Sequence, residues 1–418
     1  MKILHTSDWH LGQYFMGKSR KNEHAALINW LFGQVESKAI DVVVIAGDIF
    51  DTGSPPSYAR ELYNQLVLGL HQRQCQLIVV AGNHDSVSML NESRSLLAEL
   101  NTYVVAASDP QAPSSHVIPL YQQGSKDVAA LLCAIPYIRP RDIVQSEAGL
   151  DERRKQSELA EQIKDFYQAV YLAAKEQAKS LGQIPILGTG HLTTLGASVS
   201  ESVREIYVGT LESFPLDYFP PFSYLALGHI HRPQKVAGLE HVRYCGSPIA
   251  LSFDENASQK GMVLVDYSLN QIDPEIEVLS IPCIQAHFSK TGTLPEVIAS
   301  LREAEADFKR EGSQADSLWA EVTLVSDDYV SDLYRQLQQA LEGLDIELLR
   351  VKRQLKTQAK SMAQDSKETL SELTVEQVFE RCLESADVVE NNEQLTHLFK
   401  QNYRAMLASQ QECEDENL

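Results

Sequence analysis

"DVVVIAGDIFD", residues 41–51, decides how the rest of the chain is read. An unbroken apolar run, rich in β-branched Val and Ile, leads into Gly-Asp. That is the pattern of a strand buried on both faces, as in parallel sheets. The same grammar opens the chain as "KILHTSDWH" (2–10) and returns as "QLIVVAGNHD" (76–85). Helix-like stretches suited to crossover connections lie between these runs. One, near 22–38, carries Leu27, Ile28, Leu31, Phe32 and Val35 on one face; the other, near 57–72, starts just after Pro55-Pro56. Strand–helix–strand–helix–strand predicts an α/β sheet.

Working outward, strand-like runs near 116–120 and 129–135 precede a long amphipathic helix over roughly 152–180, with Leu159, Ile163, Phe166, Tyr167 and Val170 at helical spacing. "IPILGTGH" (184–191), "YLALGHIH" (224–231) and shorter β-type runs follow. One α/β domain over 1–275 accounts for them. From about 277 the pattern becomes β-α-β-α-β, beginning with "IEVLSIP", which predicts a small α/β module over 276–353. Residues 354–368 read as a polar linker. Over 369–418, Thr374 and Gln377 stand at capping-box spacing, and Leu395, Leu398, Phe399 and Tyr403 mark a second helical stretch. Their apolar faces have no sheet nearby in sequence to bury them; they dock on a partner or fold back on the chain.

A length of 418 residues suggests two or three domains. No apolar run of about 18 residues occurs, so no membrane span is expected. The chain starts directly in a strand-like run without a signal-peptide pattern. Six scattered cysteines with no C-x-x-C pair read as reduced thiols of a cytoplasmic protein, not as a disulfide framework or zinc ribbon. The net charge of −21 argues at first sight against nucleic acid. However, the last 58 residues alone hold 13 acids against 4 bases, so charge does not decide the partner.

The strand ends carry the chemistry. They deliver Asp8 and His10, then Asp48 and Asp51, then Asn83, His84 and Asp85, then His191, and finally His229 and His231. Ligands of open α/β sheets sit beyond the carboxyl ends of the strands. Strand alternation sends His229 and His231 to the same side. Each motif alone is weak, but packing does not account for all five in order after apolar runs. The mixed N/O set without cysteine suits Mn²⁺, Fe or Zn²⁺ better than Ca²⁺. It has too many donors for one ion. Two ions about 3.5–4 Å apart, bridged by a carboxylate, would serve in-line displacement at phosphorus. His5, His24, His71, His116, His241, His287 and His397 read as core or surface residues.

The order D-x-H, G-D, G-N-H-D, G-H, G-H-x-H resembles the calcineurin-like metallophosphoesterases. "HTSDWHLG", "AGDIFDTGSPPSYAR", "AGNHDS" and "ALGHIHRP" resemble, more narrowly, the SbcD-type nuclease subunits of bacterial SbcC–SbcD complexes. The resemblance covers nearly the whole chain and is most specific over 1–255. It implies an α/β fold with a metallophosphoesterase β-sandwich flanked by helices over 1–275, a small α/β capping domain for DNA recognition over 276–353, and C-terminal helices docking on the coiled coil of an SbcC-type ATPase. It also implies one metal on Asp8, His10 and His231, a second on Asn83, His191 and His229, and Asp48 bridging. His84 would be catalytic, donating a proton to the leaving alkoxide or stabilising charge at the scissile phosphate. The ions would be two divalent metals, with Mn²⁺ preferred. Related proteins carry a histidine where Asp51 stands, which leaves the role of Asp51 open. The implied activity is ATP-stimulated duplex exonuclease and single-strand or hairpin endonuclease action, by a homodimer within a heterotetramer, in the cytoplasm at the nucleoid. ATP would be bound by the partner, since no G-x-x-x-x-G-K-[ST] occurs here. A phosphomonoesterase or protein phosphatase on the same scaffold, or a metal-binding scaffold without catalysis, are the competing readings. "GKSRK" (17–21) and Arg60 are candidate phosphate contacts, equally explained as charges at helix starts.

Overall fold

The computed structural model describes residues 1–143, 152–195, 213–255, 259–268, 273–311, 315–326 and 330–354. The expected alternation is present as β1 (Lys2–Thr6), the hairpin β2 (Tyr14–Phe15) and β3 (Lys18–Ser19), α1 (Lys21–Lys38), β4 (Val42–Ala46), α2 (Ser57–Gln72) and β5 (Gln76–Val80). Short helices α3 (Val87–Glu92) and α4 (Arg94–Glu99) lead to β6 (Thr102–Val105). The sequence reading passes over β6, because four residues carry no periodicity of their own. Next come β7 (Val117–Tyr121), β8 (Val128–Cys133), α5 (Pro140–Ile143), α6 (Glu152–Ala178), β9 (Ile186–His191), β10 (Leu225–Gly228), β11 (Gln234–Lys235), β12 (Val242–Tyr244), β13 (Gly261–Asp266) and β14 (Glu275–Ser280).

These strands form two six-stranded sheets, ordered β14-β13-β1-β4-β5-β6 and β11-β12-β10-β9-β8-β7. In the first, β1, β4, β5 and β6 are parallel, and β13 and β14 extend it antiparallel. In the second, β12, β10, β9 and β8 are parallel, with antiparallel β7 and β11 at the margins. Alternation then explains the layers. Ile3, Val42, Val44, Ile78 and Val80 share one core with Leu120, Leu132, Leu187 and Tyr224 of the second sheet. Their neighbours Leu4, Val43, Ile45 and Val79 point the other way, onto Leu27, Leu31, Leu62 and Leu66 of α1 and α2. The outer face of the second sheet packs Leu131, Leu225 and Leu227 against Ile163, Phe166, Tyr167 and Val170 of α6. Both faces of each sheet are therefore covered, which is why the runs are continuously apolar; each buried aliphatic contributes about 1.5–3 kcal/mol.

The sheets meet at their carboxyl ends. A Cβ on Gly228, closing β10, would stand 1.9 Å from the carbonyl oxygen of Ala46, closing β4. No side chain fits between two backbones that close.

The small module comprises β15 (His287–Gly292), α7 (Leu294–Glu311), β16 (Leu318–Val325), α8 (Val330–Ala340) and β17 (Ile346–Gln354), with strand order β15-β16-β17. Val297, Leu301, Val322, Leu324, Leu333 and Leu337 make its core. Here the structure corrects the sequence reading. "IEVLSIP" does not open the module; its residues form β14, pairing along β13 from Gly261↔Ser280 to Asp266↔Glu275. As a mostly exposed edge strand, β14 buries Leu279 alone, and nothing in its own composition states which sheet it joins. The module rests on the main body through Phe15, Phe253, Trp319 and Leu349, with the Phe15 and His287 rings stacked at 4.6 Å and Lys18 paired with Glu347.

Cys75, Cys133, Cys245 and Cys283 are free thiols. Among the described residues no helix is long and apolar enough to cross a membrane. The expected linker, the two C-terminal helical stretches, Cys382, His397 and Cys413 lie outside the described residues.

Gly228→Ala should lower stability by about 2–4 kcal/mol, because the added methyl would meet the Ala46 backbone and, at 2.8 Å, the buried His191 ring. Urea unfolding followed by circular dichroism measures this; an unchanged midpoint would mean the two sheets can separate there at no cost.

Candidate metal centre

The loops leaving β1 and β4 are laced together before any ligand is considered. The Asp8 N–H donates to the Gly47 carbonyl at 3.0 Å, that of His10 to the Asp48 carbonyl at 3.0 Å, and that of Leu11 to the Ile49 carbonyl at 2.9 Å. To make these turns Asp8 (φ 54°), His10 (φ 46°), Asp48 (φ 50°) and His229 (φ 92°) enter the left-handed region. Each such residue costs about 1–3 kcal/mol, and strain of this kind gathers at functional sites. Gly82 lets the loop after β5 approach as closely: a Cβ there would lie 2.1 Å from Asp48 Oδ1.

Every site residue expected from the sequence arrives at this one end of the sandwich. The donor atoms of Asp8, His10 and His231 lie within 4.8 Å of one another, and so do those of Asp48, His191 and His229. Asn83 Oδ1 is 2.9 Å from His191 Nε2 and 3.3 Å from His229 Nδ1. Asp48 stands between the groups, its Oδ2 3.6 Å from His10 Nε2 and 3.2 Å from His191 Nε2. His84 falls with His10 and Asp48 in a third grouping. Its ring is 4.8 Å from that of His10, and its own backbone N–H donates to Asp48 Oδ1 at 2.9 Å. One expectation needs correcting. β10 ends at Gly228, so His229 and His231 lie beyond the strand. Their convergence comes from the turn at His229, not from strand alternation.

The donor chemistry calls for cations. The Nδ1 of His191 faces the Ala46 carbonyl at 2.9 Å and must donate to it, since a carbonyl only accepts. The neutral ring then turns a bare Nε2 toward the Asn83 amide oxygen and the Asp48 carboxylate, both acceptors. His10 Nε2 is buried with no hydrogen-bond partner among the described residues. Burial by itself would lower His191 and raise Asp48. Without a bound cation their attraction reverses both, taking His191 up to about 9 and the Asp48 carboxyl well below its ordinary range, so a metal ion binding there would displace the Nε2 proton that the pair shares. Burial, reinforced by His191, pushes His229 down to about 3 and keeps it a neutral imidazole, the ligating form. The residues therefore fit divalent metal ions, whose charge would take the place of the proton held between His191 and Asp48.

A supporting shell fixes these rings. Asp51 Oδ1 lies 3.2 Å from His10 Nδ1, and the Asp51 carbonyl accepts from His84 Nδ1 at 2.8 Å. One residue thus orients two histidines, which answers the question its position raised. Glu255 Oε1 lies 3.5 Å from His231 Nδ1, while its Oε2 takes the Lys260 ammonium at 2.6 Å and the N–H of Leu251 at 3.1 Å. Burial disfavours the Glu255 carboxylate, but His231 and Lys260 hold its pKa far below the usual range. Sequence reasoning missed Glu255 and Lys260. Asp85, although in a site motif, is a brace: it accepts the N–H groups of Ile49, Phe50 and Gly82 at 3.2, 3.0 and 2.8 Å. Of the basic residues singled out in the sequence, Lys18 is paired with Glu347 and Arg20 is buried against Glu23 and the Ala250 carbonyl. Arg60 sits on α2, away from this cluster, in a separate hollow beside Phe50.

The profile of calcineurin-like phosphoesterases matches residues 1–233, and a profile described as the type 5 capsule protein repressor C-terminal domain matches residues 283–386. The chain is 46% identical over 402 residues to a protein of Escherichia coli (strain K12) named as the D subunit of the nuclease SbcCD, covering 96% of this chain and 97% of that one. A protein of the same name from Rhodobacter capsulatus is 30% identical over 360 residues, covering 83% and 86%. Another, from Bacillus subtilis, is 32% identical over 275 residues, covering 64% and 66%.

Glu255→Gln should weaken Mn²⁺ binding by about 10–100-fold, the usual consequence of losing a carboxylate behind a ligating histidine. Calorimetric titration of the full chain reads this directly; unaltered affinity would confine Glu255 to its pairing with Lys260.

Proposed function

The chain belongs to the calcineurin-like phosphoesterase family, among the D subunits of SbcCD nucleases, and from that membership we propose how its own residues cut DNA. It is a metal-dependent nuclease, and its family membership carries with it an SbcC-type partner. Asp8, His10 and His231 would hold one divalent ion, Asn83, His191 and His229 the second, with Asp48 placed to serve both. The observation that carries this reading is Asp48 Oδ2 lying between His10 Nε2 and His191 Nε2, with Asn83 Oδ1 against the same His191 nitrogen. Mn²⁺ is the ion that the family resemblance implies; the carboxylate and amide oxygens of the set suit it, while the imidazoles also suit Fe and Zn²⁺. Such an ion pair polarises a phosphate ester and supplies a nucleophile at neutral pH.

The remaining work falls to side chains. His84 is half-buried beside the cluster, its Nδ1 fixed on the Asp51 carbonyl. Its Nε2 is thus the atom that, when protonated, delivers a proton to the leaving oxygen of the cut strand. Asp51 keeps His84 and His10 in fixed relation, so the proton donor and a metal ligand move as one unit. Residues 1–280, through β14, form the nuclease domain, the module from β15 to residue 353 the capping domain that meets DNA, 354–368 the linker and 369–418 the helices that dock on the coiled coil of the SbcC-type ATPase. Two copies work within a heterotetramer, in the cytoplasm at the nucleoid, trimming duplex ends and opening single strands and hairpins.

A cleavage assay tests this on end-labelled duplex and hairpin DNA with Mn²⁺, using the chain alone and with its SbcC-type partner and ATP. Wild type should cut, lose activity with a chelator and regain it on Mn²⁺ addition, whereas Asp48→Asn should be silent. Hydrolysis of a phosphate monoester with no DNA cut would replace the nuclease with a phosphatase. His84→Gln should lower kcat by about 10²–10⁴-fold, the range for losing a general acid, with bound Mn²⁺ unchanged. Surviving activity would remove His84 from proton transfer, and lost metal would make it a ligand.

A further inference from the structure

Beside His84 the surface opens into a cleft of about 770 Å³, lined by Asp51, Asn83, His84, Ser86, Arg139 and Arg141 among others. Arg139 is anomalous there. It is only 2% exposed, yet it has no carboxylate within ion-pair distance among the described residues. One guanidinium nitrogen donates to the Asp85 backbone carbonyl at 2.9 Å, and the ring of Tyr137 lies 5.8 Å from the guanidinium carbon. The other terminal nitrogen is buried with no hydrogen-bond partner among the described residues. The Asp85 carboxylate does not supply one, because its oxygens are committed to the N–H groups of Ile49, Phe50 and Gly82. Buried guanidinium groups are held by anions, and one left without is costly unless an anion arrives. The planar fork of arginine fits phosphate oxygens.

We propose that Arg139 is a phosphate-binding residue of the nuclease cleft, receiving a backbone phosphate of the DNA strand that flanks the ester being cut on the His84 side. This rests on the nuclease reading above. Asp85 has the positioning role: its side chain braces the loops after β4 and β5, and its carbonyl aims the guanidinium. The neighbouring Arg141 is exposed and carries no such constraint. The contact adds nothing for an ester too small to have a flanking phosphate, so Arg139 would select polymer over small diester.

The test compares wild type, Arg139→Gln and Arg139→Lys in the full complex with Mn²⁺, on hairpin DNA and on bis(p-nitrophenyl) phosphate. For Arg139→Gln the ratio of kcat/KM on DNA to that on the small diester should fall at least about tenfold, mostly through KM. The log–log salt slope of DNA binding should flatten by about 0.9, one phosphate contact. Arg139→Lys keeps the charge and should recover part of the ratio. Arg139→Gln losing both substrates equally, while Arg139→Lys matches wild type on both, would make the residue structural and overturn the proposal. An unchanged ratio and salt slope in both variants would also overturn it. Wild type cleaving the small diester but not DNA would remove the nuclease reading and this inference together.

Discussion

The contact between Ala46 and Gly228 is the constraint on which the rest depends. A site that draws ligands from two sheets needs those sheets to converge within side-chain reach, and here they converge to backbone contact. The Ala46 carbonyl lies where a methyl on Gly228 would have to go, and the same oxygen accepts the His191 Nδ1–H. One peptide group therefore sets the separation of the sheets and the tautomer of a histidine. With that tautomer chosen, Nε2 of His191 faces nothing but acceptors, so it must carry either a proton or a metal ion, which is how a fold of hydrocarbon layers comes to demand positive charge at one end.

Around that point the structure spends backbone strain and buried charge together. The left-handed residues Asp8, His10, Asp48 and His229 would relax in a looser loop; the hydrogen bonds between the β1 and β4 exits prevent it. Asp51 and Glu255 reach past the first ring of residues to hold His10 and His231 by their outer nitrogens. Rings held by their outer nitrogens keep the inner ones aimed at the centre, and that rigidity separates a centre for ions from a loose collection of polar side chains.

Much of this was legible in the residues alone. Strands β1, β4 and β5 are buried on both faces, so their apolar runs are unbroken and their ends unmistakable. The polar residues at those ends follow from where α/β sheets place their ligands. His229 and His231 illustrate a right conclusion reached through the wrong geometry, because the strand stops one residue short of them. Glu255 was not legible. It arrives on a single 3-10 turn, Phe253–Glu255, remote in sequence from every motif, and only the return of the chain puts it behind His231. β14 was misassigned because an edge strand with one buried side chain advertises no partner. Arg139 carries no sequence signal either; its significance is an unmet hydrogen bond, which only coordinates reveal.

The place of β13 has a consequence for how the molecule is made. β1 is made long before one of its two neighbours, β13, which spans residues 261–266. Until that distant segment is synthesised, β1 has β4 on one side and an open edge of unpaired N–H and C=O groups on the other. Closing it means closing a loop of more than two hundred residues, the kind of long-range pairing that slows folding and leaves sticky intermediates. The N-terminal half thus keeps an unpaired strand edge through most of its synthesis. His231 and its brace Glu255 are also late to emerge, so the centre cannot assemble on a partly made chain. A newly synthesised nuclease stays inert until almost the whole catalytic body has been released and closed.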